Sequence, residues 1–345
     1  MRKPNEQNER IKRRYSHYMR EAKSLSENSI DKALAAIDRY EQSIRRQDFK
    51  RFHTEKAVAF KAALAAETHP KTGKPLAKGT ITTILKAVRA FHLWLADQQG
   101  YRAAVKYSNA DYFNPSGRDR RIAKVGDQRP SPSLDQALYV LDQMPSDTDI
   151  QKRNRAILAF LVLTGIRDGA AIGLKLRHVD LYSCTIRQDP REVNTKFSKA
   201  MTTSFFPVGG SAEAIFTTYV GYLRDTLLRS PDDPLFPKTR IERVEGKGFS
   251  ATGLSRAHWA DAASMRRIVK EAFTGQGMPA YGPHSFRKTL ARLGEQMCTT
   301  PEEMKAWSQN LGHEDVMTTF RAYGQVQDDR QAAIMISLQS RPSRL

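Results

Sequence analysis

The sequence predicts a mainly α-helical protein of two domains: a small all-helical domain, then a larger helical domain with a small antiparallel sheet. Three observations predict this fold class. Apolar residues recur at helical spacing along most of the chain, a period-two pattern is confined to residues 178–208, and one aperiodic stretch separates two helical regions. At 345 residues with 40% hydrophobic side chains, the chain is long enough to bury more than one core.

The first part of the chain divides into an arm, a helical domain and a linker. Residues 1–25 carry eight basic and three acidic side chains, so we expect a basic N-terminal arm, either solvated or lying along a polyanion. Residues 26–108 form the helical domain, and residues 109–133, rich in Pro, Ser, Gly and Arg, predict an interdomain linker. Helical spacing within the domain covers 27–46, 55–67 and 79–100.

Residues 134–345 predict the larger domain, which includes a C-terminal tail helix. A strand near 178–188 and hairpin arms within 191–208 form its sheet, while residues 237–253 are polar and predicted to be irregular. After His284 the pattern is helical almost to the tail helix, near 331–338. The remaining helices are predicted at 134–144, 149–165, 211–229 and 261–274.

Composition limits the class of partner and the compartment. The chain carries 56 basic and 37 acidic side chains, a formal charge of +19. Such an excess indicates a polyanionic partner, because neutralising phosphates releases condensed counterions, although an unspecialised basic protein has the same charge. The two cysteines, Cys184 and Cys298, form no CxxC or His/Cys cluster, which argues against disulfides and a zinc site. The sequence has no apolar leader and no run of about 18 apolar residues, so we expect a cytoplasmic protein without membrane contact.

Four short motifs carry side chains suited to phosphate chemistry. Arg167 lies in TGIR, His284 and Arg287 lie in HSFR, His313 lies in LGH, and Tyr323 follows ten residues later. Each motif alone is weak, because an arginine at a helix end commonly caps carbonyls and a tyrosine at helical spacing is commonly a half-buried core residue. Together in one basic chain, with lysines in a predicted strand pair, they indicate a site that breaks a phosphodiester bond with a tyrosine nucleophile.

With these motifs in this order, the second domain resembles the catalytic domain of the phage integrase, or tyrosine recombinase, family. The resemblance covers about residues 134–340, and the first domain matches the family's core-binding domain only by type and position. It implies site-specific DNA recombination and a catalytic lysine on a β-hairpin, for which Lys196 and Lys199 are both candidates. Lys196 follows a threonine, as the family's lysine often does, whereas Lys199 is better spaced from Pro207.

The resemblance also implies a role for each side chain. Arg167 and Arg287 would neutralise the charge that builds on phosphorus, Tyr323 would attack, and His284 would be the base. His313 would bind a non-bridging oxygen, and the lysine would protonate the leaving 5′-oxygen. The product would be a 3′-phosphotyrosyl ester that keeps the bond energy, so the resemblance implies no ATP, metal or other cofactor.

Three features depart from the family pattern, and one is a hairpin region less glycine-rich than usual, which leaves both lysines as candidates. Ala170 stands where a glutamate is usual, which leaves Asp168 as a candidate for the orienting carboxylate. The interval from His313 to Tyr323 is one residue longer than the commonest spacing.

The family's usual assembly implies a tetramer on double-stranded attachment sites, associated with the nucleoid while bound. Two alternatives remain open from sequence: a type IB topoisomerase-like or telomere-resolving enzyme with the same residues, and a non-catalytic DNA-binding protein on this fold. The substitution at Ala170 favours the second alternative, whereas the presence of Tyr323 and both arginines opposes it.

Overall fold

The computed structural model describes residues 4–70, 72–124, 130–195, 199–244, 248–313, 331–333 and 335–336. The chain divides between Gly126 and Asp127 into two compact units, each with its own hydrophobic core. Both units are mainly helical and the second contains small antiparallel sheets, which confirms the predicted fold class. None of the helices in the described ranges is long and apolar enough to cross a lipid bilayer.

The first unit is a helical bundle. Helices lie at the three positions where apolar spacing predicts them, and aromatic rings fill the space between them. The rings of Tyr40 and Phe60, for example, meet edge to face with centroids 5.3 Å apart. The helices are α1 (Glu6–Glu21), α2 (Glu27–Ser43), α3 (Thr54–Ala66), α4 (Lys78–Leu95) and α5 (Gly117–Lys124).

Helix α1 differs from the predicted N-terminal arm. Although the segment is basic, Ile11, Tyr15 and Met19 recur every four residues and are buried in the core of the first unit. Lys12 Nζ lies 2.7 Å from an oxygen of Glu41, whose side chain is fully buried. This apolar stripe and the buried ion pair make the segment a core helix rather than a solvated tail.

Much of the predicted linker is folded into the first unit. Tyr107–Phe113 forms a 3-10 helix, and the Phe113 side chain is fully buried in the core. Asp119 of α5 forms an ion pair with Lys78 of α4 at 2.8 Å. The sequence pattern concealed these elements because a short 3-10 helix does not follow the 3.6-residue period.

Before the tail, the second unit combines seven α-helices and five strands within the described ranges, and all of these helices except the short α8 lie where the sequence predicts them. Phe205 to Pro207 connect the first sheet to the helices that follow. The helices are α6 (Leu134–Gln143), α7 (Asp149–Thr164), α8 (Asp168–Ala171), α9 (Ala212–Gly221), α10 (Ala263–Thr274), α11 (Pro283–Met297) and α12 (Pro301–Asn310). The strands are β1 (Val179–Asp180), β2 (Thr185–Gln188), β3 (Met201–Ser204), β4 (Thr239–Val244) and β5 (Gly248–Leu254). The described tail residues, 331–333 and 335–336, are helical.

Helix α7 is the central helix of the second unit. Residues 156–164 are all buried, so the second half of the helix is surrounded by apolar side chains on every face. At its start, the Thr148 hydroxyl accepts from the Gln151 backbone N–H at 3.3 Å, and the Thr148 backbone N–H donates to Gln151 Oε1 at 3.0 Å. Gly165 ends the helix in the left-handed region, with φ of 57°.

Strands β1 to β3 form the predicted antiparallel sheet, in the order β1-β2-β3. Ile186 on β2 is fully buried and pairs with Val179 on one side and Thr203 on the other. Strand β3 is therefore an edge strand of this sheet. The candidate Lys196 belongs to residues 196–198, between β2 and β3, which lie outside the described residues.

Residues 237–253 were predicted to be irregular, and this prediction is wrong. Strands β4 and β5 pair as an antiparallel hairpin with a register shift between Arg240 and Ile241. Buried Arg153 anchors the base of this hairpin by donating to Pro237 O at 2.9 Å and Thr239 Oγ1 at 3.1 Å. The bulge disrupts the strict alternation by which a strand is recognised in sequence.

Candidate active site

Arg167 lies three residues after α7 ends at Thr164 and directly before α8. A Cβ atom at Gly165 would lie 2.9 Å from Leu290 Cδ1, so both the left-handed backbone and the available space require glycine there. Arg167 then begins α8, and its carbonyl accepts from the backbone N–H groups of Ala170 and Ala171, each at 2.9 Å. The turn therefore fixes the backbone position from which the half-buried Arg167 side chain projects.

Arg287 joins two distant turns of the chain. It projects from the first turns of α11 and is only 5% exposed. Its Nη1 donates to Gly165 O at 2.8 Å, and its Nη2 donates to Leu311 O at 2.5 Å. These carbonyls belong to TGIR and LGH, so one planar guanidinium holds the two motifs side by side.

The LGH turn packs against both Arg167 and the sheet. Gly312 has a φ of 67°, and a Cβ atom there would lie 3.0 Å from Met201 Sδ and 3.9 Å from Arg167 Nη1. The backbone N–H of His313 donates to Ser308 O at 3.1 Å, and the residue is half-buried. This close packing brings the turn that carries His313 next to Arg167.

The two arginines form a positive site. Burial lowers the pKa of Arg167, and burial together with the charge of Arg167 lowers the pKa of Arg287 to about 9. Both guanidinium groups therefore remain charged at neutral pH. Across the described ranges, the ion pairs include neither arginine. Two neighbouring cations that form no ion pair with a carboxylate of the described residues are complementary to an anion such as a phosphodiester.

His284 lies one turn before Arg287 on α11. His284 as a whole residue is exposed. The surrounding chain nevertheless removes water from the imidazole, which lowers the pKa of His284 below the ordinary 6.5. The charges of Arg287, Arg167 and Lys288 lower this pKa further, and Asp168 opposes them. His284 is therefore neutral at pH 7 and able to accept a proton.

Asp168 contacts a partner that the sequence did not indicate. One carboxylate oxygen accepts from Arg266 Nε at 2.5 Å, and the other accepts from Gly169 N at 2.9 Å. In the described part of the chain Asp168 forms no hydrogen bond with Arg167, so it does not replace the family's glutamate as a direct partner of that arginine. Ala170, at the position usual for the glutamate, is buried.

The structure brings together the two arginines, His284 and the turn carrying His313. Lys199 is exposed and lies two residues before β3 begins. Tyr323, like Lys196, lies outside the described residues.

Sequence reasoning missed Asn310, the last residue of α12. Its side chain accepts from Ser204 N at 2.8 Å and donates to Ser204 O at 2.9 Å. An asparagine at a helix end usually caps its own helix. Because the partner strand is distant in sequence, no local pattern distinguishes the two roles.

Most of this chain matches a known protein family and individual known proteins. Residues 134–330 match the model of the phage integrase family. The tyrosine recombinase XerC of Halalkalibacterium halodurans is 23% identical over 255 residues, which cover 74% of this chain and 73% of the relative. The tyrosine recombinase XerD of Oceanobacillus iheyensis is 21% identical over 312 residues, covering 88% and 90%.

Two solved structures have the same fold. A lambda integrase dimer bound to a core site is 15% identical and aligns with a TM-score of 0.59, covering 91% of this chain and 94% of that one. The XerH site-specific recombinase bound to its difH substrate is 14% identical with a TM-score of 0.58, covering 90% and 80%. The family match spans more than half of the chain. The chain therefore belongs to the phage integrase family and is a tyrosine recombinase, an enzyme that recombines DNA at specific sites.

Proposed function

We propose that this recombinase cleaves and rejoins DNA through a 3′-phosphotyrosyl intermediate on Tyr323. The observation that carries the proposal is the buried fork of Arg287, which donates to Gly165 O and Leu311 O and so places Arg167 beside the LGH turn. Two guanidinium groups and a neutral imidazole in one place match the needs of phosphoryl transfer, in which charge builds on phosphorus and a proton must leave the nucleophile.

In the cleavage step, Tyr323 Oη forms a bond to phosphorus while the bond between phosphorus and the 5′-oxygen breaks. His284 accepts the phenol proton, whose ordinary pKa is about 10, and Lys196 or Lys199 gives a proton to the leaving 5′-oxygen. Arg167, Arg287 and His313 bind the non-bridging oxygens. Attack by the 5′-hydroxyl of another strand then reverses the step and releases Tyr323, so no bond energy is lost to water.

The substrate is double-stranded DNA carrying two attachment sites, and the active assembly is a tetramer. Exchanging strands between two duplexes requires four cleavages, and each active site supplies one tyrosine. The formal charge of +19 supports binding to the phosphate backbone and association with the nucleoid. The lambda integrase comparison structure is a dimer bound to a core site, which agrees with more than one protomer acting on each duplex.

The test is a suicide substrate. An attachment site is first selected by binding from a pool of randomised duplexes, then nicked close to the cleaved phosphate. The short fragment with the 5′-hydroxyl diffuses away after cleavage, which traps the covalent complex. We expect the wild-type protein to give an adduct on a denaturing gel, and Tyr323→Phe to bind the duplex without giving one.

Tyr182 supplies a matched control because its side chain is fully exposed on a turn. Tyr182→Phe should give the wild-type yield of adduct. An adduct formed by Tyr323→Phe would rule out Tyr323 as the nucleophile.

A further inference from the structure

Asn310, at the end of α12, binds the edge of β3 that does not pair with β2. Strand β3 pairs with β2 on one side, and the Asn310 side chain occupies the other side at Ser204. The amide accepts at 2.8 Å and donates at 2.9 Å, so it presents the two groups that a neighbouring strand would present. Such a reciprocal pair fixes both the distance and the direction of the strand.

The same segment begins the LGH turn. Leu311, next to Asn310, gives its carbonyl to Arg287, and Gly312 packs on Met201, the first residue of β3. Strand β3 is therefore held against this turn at its first residue by van der Waals contact and at its last residue, Ser204, by hydrogen bonds.

Apolar contacts alone do not set this alignment. The rings of Phe206 and Trp307 lie 4.8 Å apart, and Phe206 N donates to Leu163 O at 2.7 Å, so the chain after β3 is also attached to α7 and α12. The ring packing tolerates sliding, and the Phe206 N hydrogen bond fixes the chain to α7 rather than to the LGH turn. The two hydrogen bonds of Asn310 are directional and specify which residue of β3 faces the turn.

We propose that Asn310 is a positioning residue for proton transfer to the leaving 5′-oxygen. Lys199 lies two residues before β3 begins at Met201, so the placement of the strand sets where Lys199 lies relative to the proposed phosphate site. This inference rests on the proposed function. It predicts that loss of the Asn310 amide mainly harms the step that needs the lysine, and not binding of the phosphate by the arginines.

A substrate with sulphur in place of the bridging 5′-oxygen tests this proposal. A thiolate is a much better leaving group than an alkoxide and departs without being protonated, so cleavage of this substrate does not need the lysine. On the oxygen substrate, we expect Asn310→Ala to lower the single-turnover cleavage rate by roughly 10- to 100-fold. On the sulphur substrate, the rate should lie within about threefold of wild type.

Two further variants test whether the defect is specific to the Asn310 amide. Gln309→Ala changes the exposed neighbour on the same helix and should match wild type on both substrates. Asn310→Asp keeps an acceptor for Ser204 N but places an anion beside Ser204 O, so it should show the same selective defect as Asn310→Ala.

An equal defect on both substrates, or no defect on the oxygen substrate, would overturn the role of Asn310. Failure of the proposed function looks different, because then the wild-type protein itself forms no covalent adduct with either substrate. A variant with reduced thermal stability but a selective rate defect still supports the proposal, since general unfolding lowers both rates equally.

Discussion

Two buried arginines of the second unit, Arg153 and Arg287, have different surroundings. Arg153 is 2% exposed and Arg287 is 5% exposed, and the pKa is lowered, chiefly by burial, to about 10 for the first and about 9 for the second. Arg153 donates to Pro237 O and Thr239 Oγ1 and lies 5.1 Å over the ring of Trp259. The protein itself therefore supplies hydrogen-bond acceptors and an aromatic ring for the Arg153 guanidinium.

Arg287 also binds two carbonyls, and the charge of Arg167 contributes to the lowering of its pKa. Burial of an arginine therefore does not identify a catalytic group. A neighbouring arginine does not identify one either, since the charge of Arg267 also lowers the pKa of Arg153. The difference is that Arg287 binds the carbonyls of two motif turns, TGIR and LGH, and has Arg167 of the first motif as its cationic neighbour. Arg153 holds the base of the β4–β5 hairpin, whereas Arg287 joins the TGIR and LGH turns of the proposed phosphate site.

Replacing each of these two arginines by lysine should give the largest difference in cleavage rate. Arg287→Lys loses the fork that spans Gly165 O and Leu311 O, so we expect the cleavage rate to fall by roughly 1000-fold. Arg153→Lys should destabilise the fold by about 1–3 kcal/mol through lost hydrogen bonds while leaving the rate within a few-fold of wild type. Single-turnover cleavage and urea unfolding measure the two effects, and similar rate losses in both variants would remove the distinction.

Arg167→Ala should separate activity from stability. The substitution removes one cation from the site, so we expect cleavage to fall by roughly 100- to 1000-fold. Because Arg167 lowers the pKa of Arg287 by repulsion, stability in low salt should stay constant or rise. Thermal unfolding at low and high salt provides the measurement. A marked loss of stability would show that Arg167 is mainly a structural residue.

The lowered pKa of His284 predicts how the cleavage rate depends on pH. Its pKa in the free protein lies below 6.5, so the neutral base dominates at pH 7 and the cleavage rate should be level above neutrality. Below the pKa, the rate should fall by about tenfold per pH unit. Folding stability should also decrease as the pH falls below about 6.5, because the unfolded chain binds the proton more tightly. His284→Gln should remove the inflection in the rate, and an unchanged profile would exclude His284 as the base.

A smaller effect should distinguish two glycines of similar backbone conformation. Gly312 and Gly277 have φ values of 67° and 70°, but a Cβ atom at Gly312 meets Met201 whereas one at Gly277 meets nothing within 4 Å. Each Gly→Ala change should cost roughly 1–2 kcal/mol of stability for the left-handed backbone. Only Gly312→Ala should also slow cleavage, by roughly tenfold, as the turn moves away from Arg167. Equal cleavage by the two variants would show that the turn tolerates displacement.

Local patterns predicted most of the helices and the sheet, because apolar spacing reports directly which face of a segment is buried. They failed where tertiary contacts override local composition. The basic segment of α1 becomes a core helix through three apolar residues, and the polar hairpin β4–β5 is anchored by Arg153, more than eighty residues upstream of Thr239.

In the candidate site, too, local patterns were predictable and tertiary contacts were not. Short motifs indicated Arg167, His284, Arg287 and His313, since each lies beside a turn with its own sequence pattern. The contacts of Asp168 with Arg266 and of Asn310 with Ser204 could not be predicted, because each joins segments about a hundred residues apart.

The most direct measurement is the location of the covalent bond. Trypsin cleaves after Arg321 and Arg330, so the trapped wild-type adduct should release a peptide of residues 322–330 that carries a nucleotide remnant on Tyr323. Mass spectrometry of the nuclease- and trypsin-treated adduct identifies the modified residue. We expect the remnant on Tyr323 alone, linked through a 3′-phosphate. A remnant on any other residue would contradict the proposed mechanism.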